Sequence, residues 1–115
     1  MDGELSAAEL RELRESEADL RIVDIRPPRA FDRGHIPESE NLPLSGLPEE
    51  IERLDGADRV VTVCPHGQAS VRAARLIAAY EGCSGPVESL ACGLEGWDGD
   101  LETGSEDPPK QSDAN

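Results

Sequence analysis

One stretch, residues 60–71, constrains the fold of this chain more than any other; it reads Val-Val-Thr-Val-Cys-Pro-His-Gly-Gln-Ala-Ser-Val. It begins as an apolar, β-branched run, which predicts a buried strand. The chain then turns at Cys64, crosses a short polar loop that contains Gly67, and enters an alanine-rich helix predicted over residues 70–80. In open α/β sheets, chemistry is placed where a parallel strand ends and its loop feeds a helix, because unpaired N–H groups point there into one small volume. Such a position favours an anion or a thiolate.

Strands and helices are predicted to alternate along the rest of the chain. Ser6 and Glu9 form a capping box, which predicts a helix over residues 7–15. Apolar runs and turn residues predict the remaining elements: strands over residues 20–25, 59–63 and 87–90 with a brief strand near Asn41, and helices over residues 29–32, 48–54 and 70–80. This alternation predicts an α/β fold of three layers, in which a parallel sheet of four to five strands carries helices on both faces.

The helix over residues 70–80 is the longest one predicted. Helical spacing places four residues on its buried face: Val71, Ala74, Ile77 and Ala78. Gly82 follows the helix and is its expected C-cap residue, because helices commonly end on a glycine in the left-handed conformation.

A single domain is expected over residues 1–102, because a chain of 115 residues suffices for one hydrophobic core. Residues 103–115 contain no apolar residue except Ala114 and are expected to form a disordered acidic tail. No apolar run is long enough to span a membrane, and the acidic start of the chain lacks the apolar segment of a signal peptide. We therefore expect a cytoplasmic protein.

Acidic residues dominate the surface chemistry of this chain: its formal net charge is −14, and Lys110 is the only lysine. Phosphate groups would repel such a chain, which argues against nucleic acid and anionic membranes as partners. An acid-rich, lysine-poor composition is typical of proteins from salt-accumulating microbes, where salt screens the repulsion between carboxylates. Plain acidity, without adaptation to salt, is the alternative interpretation.

Three cysteines, Cys64, Cys83 and Cys92, occur without a CxxC motif or a Cys/His cluster of zinc spacing. This pattern predicts free thiols, with neither a disulfide framework nor a metal site. A cysteine in an apolar strand is commonly a buried packing residue. The alternative for Cys64 is a reactive thiolate, because Pro65 and Gly67 bend the backbone at the strand end so that loop N–H groups converge on the sulfur. Cys92, in a loop at the same predicted sheet edge, either fills a small space or serves as a resolving thiol for Cys64.

Several separated motifs occur in order along the chain: Asp24-Ile25-Arg26 followed by Phe31, Gly34-His35-Ile36-Pro37, Asn41-Leu42-Pro43, Cys64-Pro65-His66-Gly67-Gln68-Ala69-Ser70, and Leu90 with Gly93 and Trp97. Together they resemble the rhodanese-like family of sulfurtransferases over roughly residues 5–101. The early motifs are similar to the family's amino-terminal signature, the cysteine loop to its active-site loop, and the last group to its carboxy-terminal signature. The resemblance implies a rhodanese-like domain of the single-domain thiosulfate sulfurtransferase type.

The resemblance also implies a reaction and a site. The cysteine thiolate, here Cys64, attacks the outer sulfur of a donor such as thiosulfate, becomes a persulfide and releases sulfite; an acceptor such as cyanide then removes the sulfur. Backbone N–H groups of the loop would bind the anionic donor and the persulfide, and these groups belong to His66, Gly67, Gln68, Ala69 and Ser70. The resemblance implies no metal and no cofactor. The expected protein is a monomer whose partner is a small anionic sulfur donor or a persulfide-bearing protein.

The loop departs from the family pattern at Pro65 and Ala69, where many members carry arginine. Without these cations we expect weak binding of free thiosulfate, so that a protein-bound persulfide is the alternative donor. The side chain of His66 either donates to the anion or is exposed to solvent. Ser70 is either a hydroxyl donor to the sulfur or the N-cap of the helix.

Four polar or aromatic residues outside the loop are interpreted as structural. Asp24 and Arg26 end a neighbouring strand and could touch the cysteine loop; the preferred interpretation is structural, in which Asp24 satisfies loop N–H groups and Arg26 pairs with an acidic residue. His35 is expected to pack and hydrogen-bond within a turn. Trp97 is expected to pack in the core with its N–H bonded to the backbone.

Two other functions fit parts of this pattern. Related phosphatases share the fold, but their signature needs an arginine six residues after the cysteine, and Ser70 occupies that position. A non-catalytic or regulatory module would bind a partner through the same fold. Many inactive family members have lost the cysteine, however, and this chain keeps Cys64.

The charge analysis predicts a response to salt. If the acidic surface is an adaptation to salt, screening relieves the repulsion between carboxylates, and both the melting temperature and the activity rise from low to molar KCl. Thermal unfolding across a KCl series measures the effect. A melting temperature that stays flat or falls would contradict the interpretation of salt adaptation.

Overall fold

The computed structural model describes residues 3–16, 20–80, 82–83 and 85–103. The predicted tail, residues 103–115, lies outside the described residues except for Thr103, as do the first two residues of the predicted domain. The described part contains five strands and four α-helices.

Five parallel strands form one sheet: β1 (Glu4–Leu5), β2 (Leu20–Asp24), β3 (Glu40–Asn41), β4 (Arg59–Val63) and β5 (Val87–Leu90). Their order across the sheet is β1-β5-β4-β2-β3, so β4, the predicted β-branched strand, lies at the centre. The predicted parallel sheet is confirmed, with five strands. Strand β1 was not predicted, because a strand of two residues shows no alternation of apolar and polar side chains. Two backbone hydrogen bonds hold β1 against β5: Ser89 N–H donates to Gly3 O (3.1 Å), and Ala91 N–H donates to Leu5 O (2.9 Å).

Four α-helices connect the strands: α1 (Ala7–Glu15), α2 (Pro28–Arg33), α3 (Leu47–Glu50) and α4 (Ala69–Ala78). Helix α1 has the predicted bounds, and its capping box is confirmed, because the Ser6 hydroxyl accepts from Glu9 N–H (3.1 Å) and Ser6 N–H donates to the Glu9 carboxylate (2.8 Å). The single helix predicted over residues 48–54 is instead α3 followed by a 3-10 turn, Ile51–Leu54. Within the ranges that the structure describes, no helix combines the length and the apolar character needed to cross a membrane.

Helix α4 differs from its prediction at both ends. It begins at Ala69, and its C-cap is Ala79 in the right-handed conformation, so Gly82 is not the cap. The Ala79 N–H donates to the carbonyl groups of Arg75 and Ile77, which closes the last turn without a left-handed glycine.

The buried face of α4 is also turned relative to the predicted face. Its buried residues are Ser70, Ala73, Ala74 and Ile77, whereas Val71 and Ala78 are only half-buried. The Thr62 hydroxyl in β4 donates to the Ser70 carbonyl (2.7 Å), which draws this side of the first helical turn onto the sheet. A polar contact of this kind leaves no trace in apolar spacing.

The sheet separates two apolar clusters. Alternate positions along and just beyond β4 face opposite sides, Val60 and Cys64 one side and Val61 and Val63 the other. Helices α3 and α4 cover the first side, and α1 with the segment around Trp97 covers the second. The predicted three layers are therefore confirmed. Each fully buried aliphatic side chain contributes about 1.5–3 kcal/mol relative to its exposed state.

At the carboxyl edge of the sheet, the loop after β4 rests on the turn after β5. Leu94 N–H donates to Cys64 O (2.8 Å), and Glu95 N–H donates to Pro65 O (3.0 Å). Gly67 and Gly93 make this approach possible, since both have positive φ angles, +81° and +66°. A Cβ on Gly67 would lie 2.1 Å from Ala91 O, and one on Gly93 would lie 2.4 Å from Pro65 O. The cysteine loop is therefore held by backbone-to-backbone contact that a side chain would prevent.

The contact between these two segments predicts that a methyl group added at Gly93 destabilises the fold. Gly93→Ala should lower the free energy of unfolding by about 2 kcal/mol or more, because it adds both a left-handed non-glycine residue and a backbone clash. Urea unfolding measures the change. Gly46→Ala is the matched control. The φ angle of Gly46 is −105°, and no atom of the described residues lies within 4 Å of the added Cβ, so the stability of this variant should change little or rise. Equal losses in the two variants would contradict the role given to Gly93.

Candidate active site

Cys64 directly follows β4 and lies almost completely buried beneath its loop. Its Sγ accepts hydrogen bonds from the backbone N–H groups of Gly67 (3.1 Å) and Ser70 (3.2 Å). The tight loop, followed at once by the first turn of α4, aims both groups at the sulfur because neither has a partner within the helix. The predicted convergence of N–H groups on Cys64 is therefore present.

The other loop residues predicted to bind the donor lie on the surface. The side chains of His66, Gln68 and Ala69 are exposed, so the structure favours the second interpretation of His66. Between described residues, no hydrogen bond joins Gln68 or Ala69 to the Cys64 sulfur. Their part in donor binding stays a prediction.

Ser70 contacts the sulfur with its side chain as well as with its backbone. Its Oγ lies 3.4 Å from Cys64 Sγ and 2.6 Å from Ser89 Oγ, and all three residues are buried. The N-cap of α4 is Gln68, so the interpretation of Ser70 as the N-cap is wrong. The helix starts earlier than its alanine-rich pattern indicates, and Ser70 lies inside the first turn, where its hydroxyl faces the sulfur.

These contacts determine the acidity of Cys64. Burial of the thiol by itself raises its pKa, but hydrogen bonds from the Ser70 hydroxyl and from the backbone of Ser70, His66 and Gly67 outweigh burial, so that the pKa is lowered. Cys83 shows the opposite case: burial and the nearby charge of Asp55 raise its pKa, with Arg21 offsetting part of the rise. Cys64 is thus the site where the protein favours a thiolate, which is the nucleophilic form.

Asp24 and Arg26 have structural roles beside the site, as expected, and the acidic partner of Arg26 is Asp24. The Arg26 guanidinium donates to the Asp24 carboxylate (2.8 Å) and to Gly34 O (2.6 Å), and Arg26 N–H donates to Asp24 Oδ1 (3.1 Å). Their charges therefore neutralise each other at the end of β2 and are not directed at the sulfur.

His35 and Trp97 are also structural, as predicted. The His35 ring stacks on Phe31 with ring centroids 3.8 Å apart, and its Nδ1 lies 2.7 Å from Phe31 O. The Trp97 indole N–H donates to Asp100 O (3.0 Å), and its ring packs in the second cluster.

A groove beside the loop carries the positive charge of Arg72, an arginine of the helix that follows the loop. Arg72, exposed in the first turn of α4, lines a groove of about 530 Å³ together with Ile25, Pro27, Pro28, Pro43, Leu44 and Ser45. Ile25 N–H donates to Val63 O (3.0 Å), so the groove borders the strand end that carries Cys64. Arg72 makes no ion pair with another described residue, whereas Arg26 is neutralised by Asp24.

Cys92 lies on the other side of the sheet from Cys64. It packs against the cluster that contains Trp97, and a Cβ on Gly96 would lie 2.6 Å from its Cβ. This tight surrounding favours the interpretation of Cys92 as a small packing residue. Across the described ranges, no group of three or more His, Cys, Asp or Glu side chains could hold a metal ion.

Sequence reasoning missed Ser89, the second hydroxyl next to the site. A serine within the short predicted strand Val87–Leu90 is the available signal, since a buried hydroxyl requires a hydrogen-bond partner. The identity of that partner depends on how β5 lies against α4, which the sequence pattern does not specify.

Comparison with known proteins gives consistent results. The family model "Rhodanese-like domain" matches residues 6–100. The thiosulfate sulfurtransferase GlpE of Pseudomonas syringae is 37% identical over 76 residues, which cover 66% of this chain and 70% of GlpE.

Two solved structures share the fold. One is a rhodanese-like domain protein from Staphylococcus aureus, with a TM-score of 0.75, 23% identity, and coverage of 91% of this chain and 100% of that chain. The other is a thiosulfate sulfurtransferase from Pseudomonas aeruginosa, with a TM-score of 0.79, 24% identity, and coverage of 89% of this chain but only 20% of that larger protein. On the match of its motifs, its fold and its sequence, the chain belongs to the rhodanese-like domain family.

Proposed function

We propose that this protein is a sulfurtransferase that carries sulfane sulfur as a persulfide on Cys64. The Cys64 thiolate attacks the outer sulfur of the donor, for example thiosulfate. A new S–S bond forms, the donor's S–S bond breaks, and sulfite leaves with the bonding electron pair. A nucleophilic acceptor such as cyanide then takes the outer sulfur as thiocyanate and returns Cys64 to the thiolate, so no proton or outside oxidant is consumed.

The single observation that carries this proposal is the convergence of two backbone N–H donors and one hydroxyl group on the Cys64 sulfur. Two backbone N–H groups lie within 3.2 Å of Sγ, and the Ser70 hydroxyl lies 3.4 Å away. Donors of this kind stabilise negative charge on sulfur without reorganising, which favours the thiolate before the reaction. The same donors lie close enough to stabilise the anionic persulfide after it.

The two alternatives receive less support from the site. A phosphatase of this fold needs a guanidinium to clamp phosphate at the position of Ser70, and the buried Ser70 hydroxyl supplies neither charge nor bidentate geometry. A purely regulatory module has no need of a cysteine with a lowered pKa at the end of the central strand. Catalysis by Cys64 therefore explains more of the geometry.

The donor is proposed to be a small anion or a protein-borne persulfide, and Arg72 supports an anionic group. The loop positions that carry arginine in many relatives are Pro65 and Ala69, both exposed and uncharged. Arg72, which makes no ion pair with another described residue, offers its guanidinium in the adjoining groove. A monomer in the cytoplasm, with neither nucleic acid nor membrane as partner, completes the proposal and is consistent with the charge of −14.

Cys64→Ser tests the central assignment. Because an alcohol cannot form the persulfide, thiocyanate formation from thiosulfate and cyanide should fall by about a thousandfold or more, equivalent to ~4 kcal/mol in the barrier. Intact mass spectrometry after thiosulfate treatment should show one added sulfur in the wild-type protein and none in the variant. Cys83→Ser is the matched control and should keep both properties. Substantial activity in folded Cys64→Ser protein would show that another group carries the sulfur.

Arg72→Ala tests the anionic donor. Loss of the guanidinium should raise KM for thiosulfate about tenfold, equivalent to ~1.4 kcal/mol, with little change in kcat. Arg75→Ala removes the same charge one turn further along α4 and should change KM much less. A KM that is unchanged in Arg72→Ala would contradict the role of Arg72 and favour a protein-bound donor; equal rises in both variants would indicate a general effect of net charge.

A further inference from the structure

The Ser89 hydroxyl is a buried polar group that the proposed reaction does not yet use. Ser89 lies in β5 with no exposed surface, and its Oγ is 2.6 Å from Ser70 Oγ. Ser70 Oγ in turn lies 3.4 Å from Cys64 Sγ. Between described residues, this contact with Ser70 is the one hydrogen bond of the Ser89 hydroxyl. The three side chains thus form a short chain that leads from the sulfur into the core.

The hydrogen atoms of these three side chains cannot all form hydrogen bonds when Cys64 is a neutral thiol. In the thiol form, three hydrogen atoms, on Sγ and on the two hydroxyl groups, share only two contacts, so one of them has no acceptor within the described part of the chain. In the thiolate form, two hydroxyl hydrogens fill the two contacts, and both are directed toward the sulfur. An unpaired donor in a buried site carries a desolvation penalty. The ionised arrangement is therefore the one that satisfies every group.

We propose that Ser89 is a positioning residue for sulfur transfer: its hydroxyl donates to Ser70 Oγ and so directs the Ser70 hydroxyl hydrogen onto the Cys64 sulfur. This inference rests on the proposed function of Cys64 but not on the identity of its donor. Ser89 does not touch the sulfur, and it acts only through Ser70.

Two physical effects give Ser89 this influence. A hydroxyl that accepts a hydrogen bond becomes a better donor, so the contact from Ser89 strengthens the contact from Ser70 to the sulfur. In addition, a serine in the first turn of a helix can turn its hydroxyl toward a nearby backbone carbonyl. The 2.6 Å contact with Ser89 holds the Ser70 hydroxyl in the rotamer that faces Cys64.

The experiment is a double-mutant cycle read by the titration of Cys64. Thiolate absorbance near 240 nm is measured against pH for each protein, and the curve of the same protein carrying Cys64→Ser is subtracted to remove the other cysteines. Ser89→Ala should move the Cys64 titration upward by about half a pH unit, a roughly threefold change in the acid constant. Ser70→Ala should move it further. The variant with both substitutions should match Ser70→Ala alone, because Ser89 has no route to the sulfur without Ser70.

Ser39→Ala is the matched control. Ser39 is also buried, and its hydroxyl has no hydrogen-bond partner among the described residues, so its loss should leave the Cys64 titration unchanged. In the sulfur-transfer assay, Ser89→Ala should lower kcat and leave KM for thiosulfate unchanged, since Ser89 does not reach the donor.

The positioning role is overturned if Ser89→Ala leaves the titration unchanged, or if it shifts the titration equally with and without Ser70. The titration needs no sulfur donor. A shift that follows the predicted cycle in a protein without thiocyanate-forming activity would therefore reject the proposed function and keep the role of Ser89.

Discussion

The hydrogen bonds from backbone N–H groups to the Cys64 sulfur are the interaction that every other part of the structure supports. They exist only if the chain bends sharply at the end of β4 and enters α4 within a few residues. Gly67 allows the bend, and Gly93 allows the turn after β5 to support it from below. The parallel sheet brings the two segments to one edge, and the two apolar clusters fix the sheet between its covering layers. The sheet, the two glycines and the apolar clusters together fix the N–H groups of Gly67 and Ser70 in their positions facing the Cys64 sulfur.

This solution suits a chain with a net charge of −14. Such a chain repels the anions that the proposed reaction must handle, and an ammonium or guanidinium next to the sulfur would be one way to offset this repulsion. The site instead uses amide and hydroxyl dipoles, which act over short distances and are oriented in advance. Arg72 lies in the adjoining groove, where we propose that it binds the far end of the donor.

Much of the architecture was predictable because it depends on local patterns. The β-branched run predicted β4, the capping box predicted α1 to the residue, and β5 has its predicted bounds. The predictions for the end of α4 and for its buried face were wrong, because both features depend on contacts beyond the local sequence. The helix ends at an Ala79 cap that needs no glycine, and the Thr62 hydroxyl bonds the backbone of its first turn. Strand β1 was missed because its two residues are a strand only through pairing with β5.

At the site, too, local patterns were predictable and tertiary contacts were not. The sequence located Cys64, its loop and the missing cations, since these follow from residue type and spacing. It left the role of Ser70 open between a cap and a hydroxyl donor, and it did not find Ser89. Both answers depend on the distance between α4 and β5, which neither element encodes by itself. Buried hydroxyl groups are a general case of this kind, because their partners come from distant parts of the chain.

The pairing of β1 with β5 has a consequence for the order of events during synthesis. The first and last strands of the described sheet lie side by side, and Glu4 is paired in register with Ser89. A chain emerging from the ribosome cannot close this long-range pair until β5 is available, and contacts of high sequence separation form late. The hydroxyl chain from Ser89 to the sulfur is thus completed only when the domain is nearly whole. A chain that lacks β5 also lacks the Ser89 hydroxyl, so the proposed effect of Ser89 on Cys64 begins only after β5 has been made.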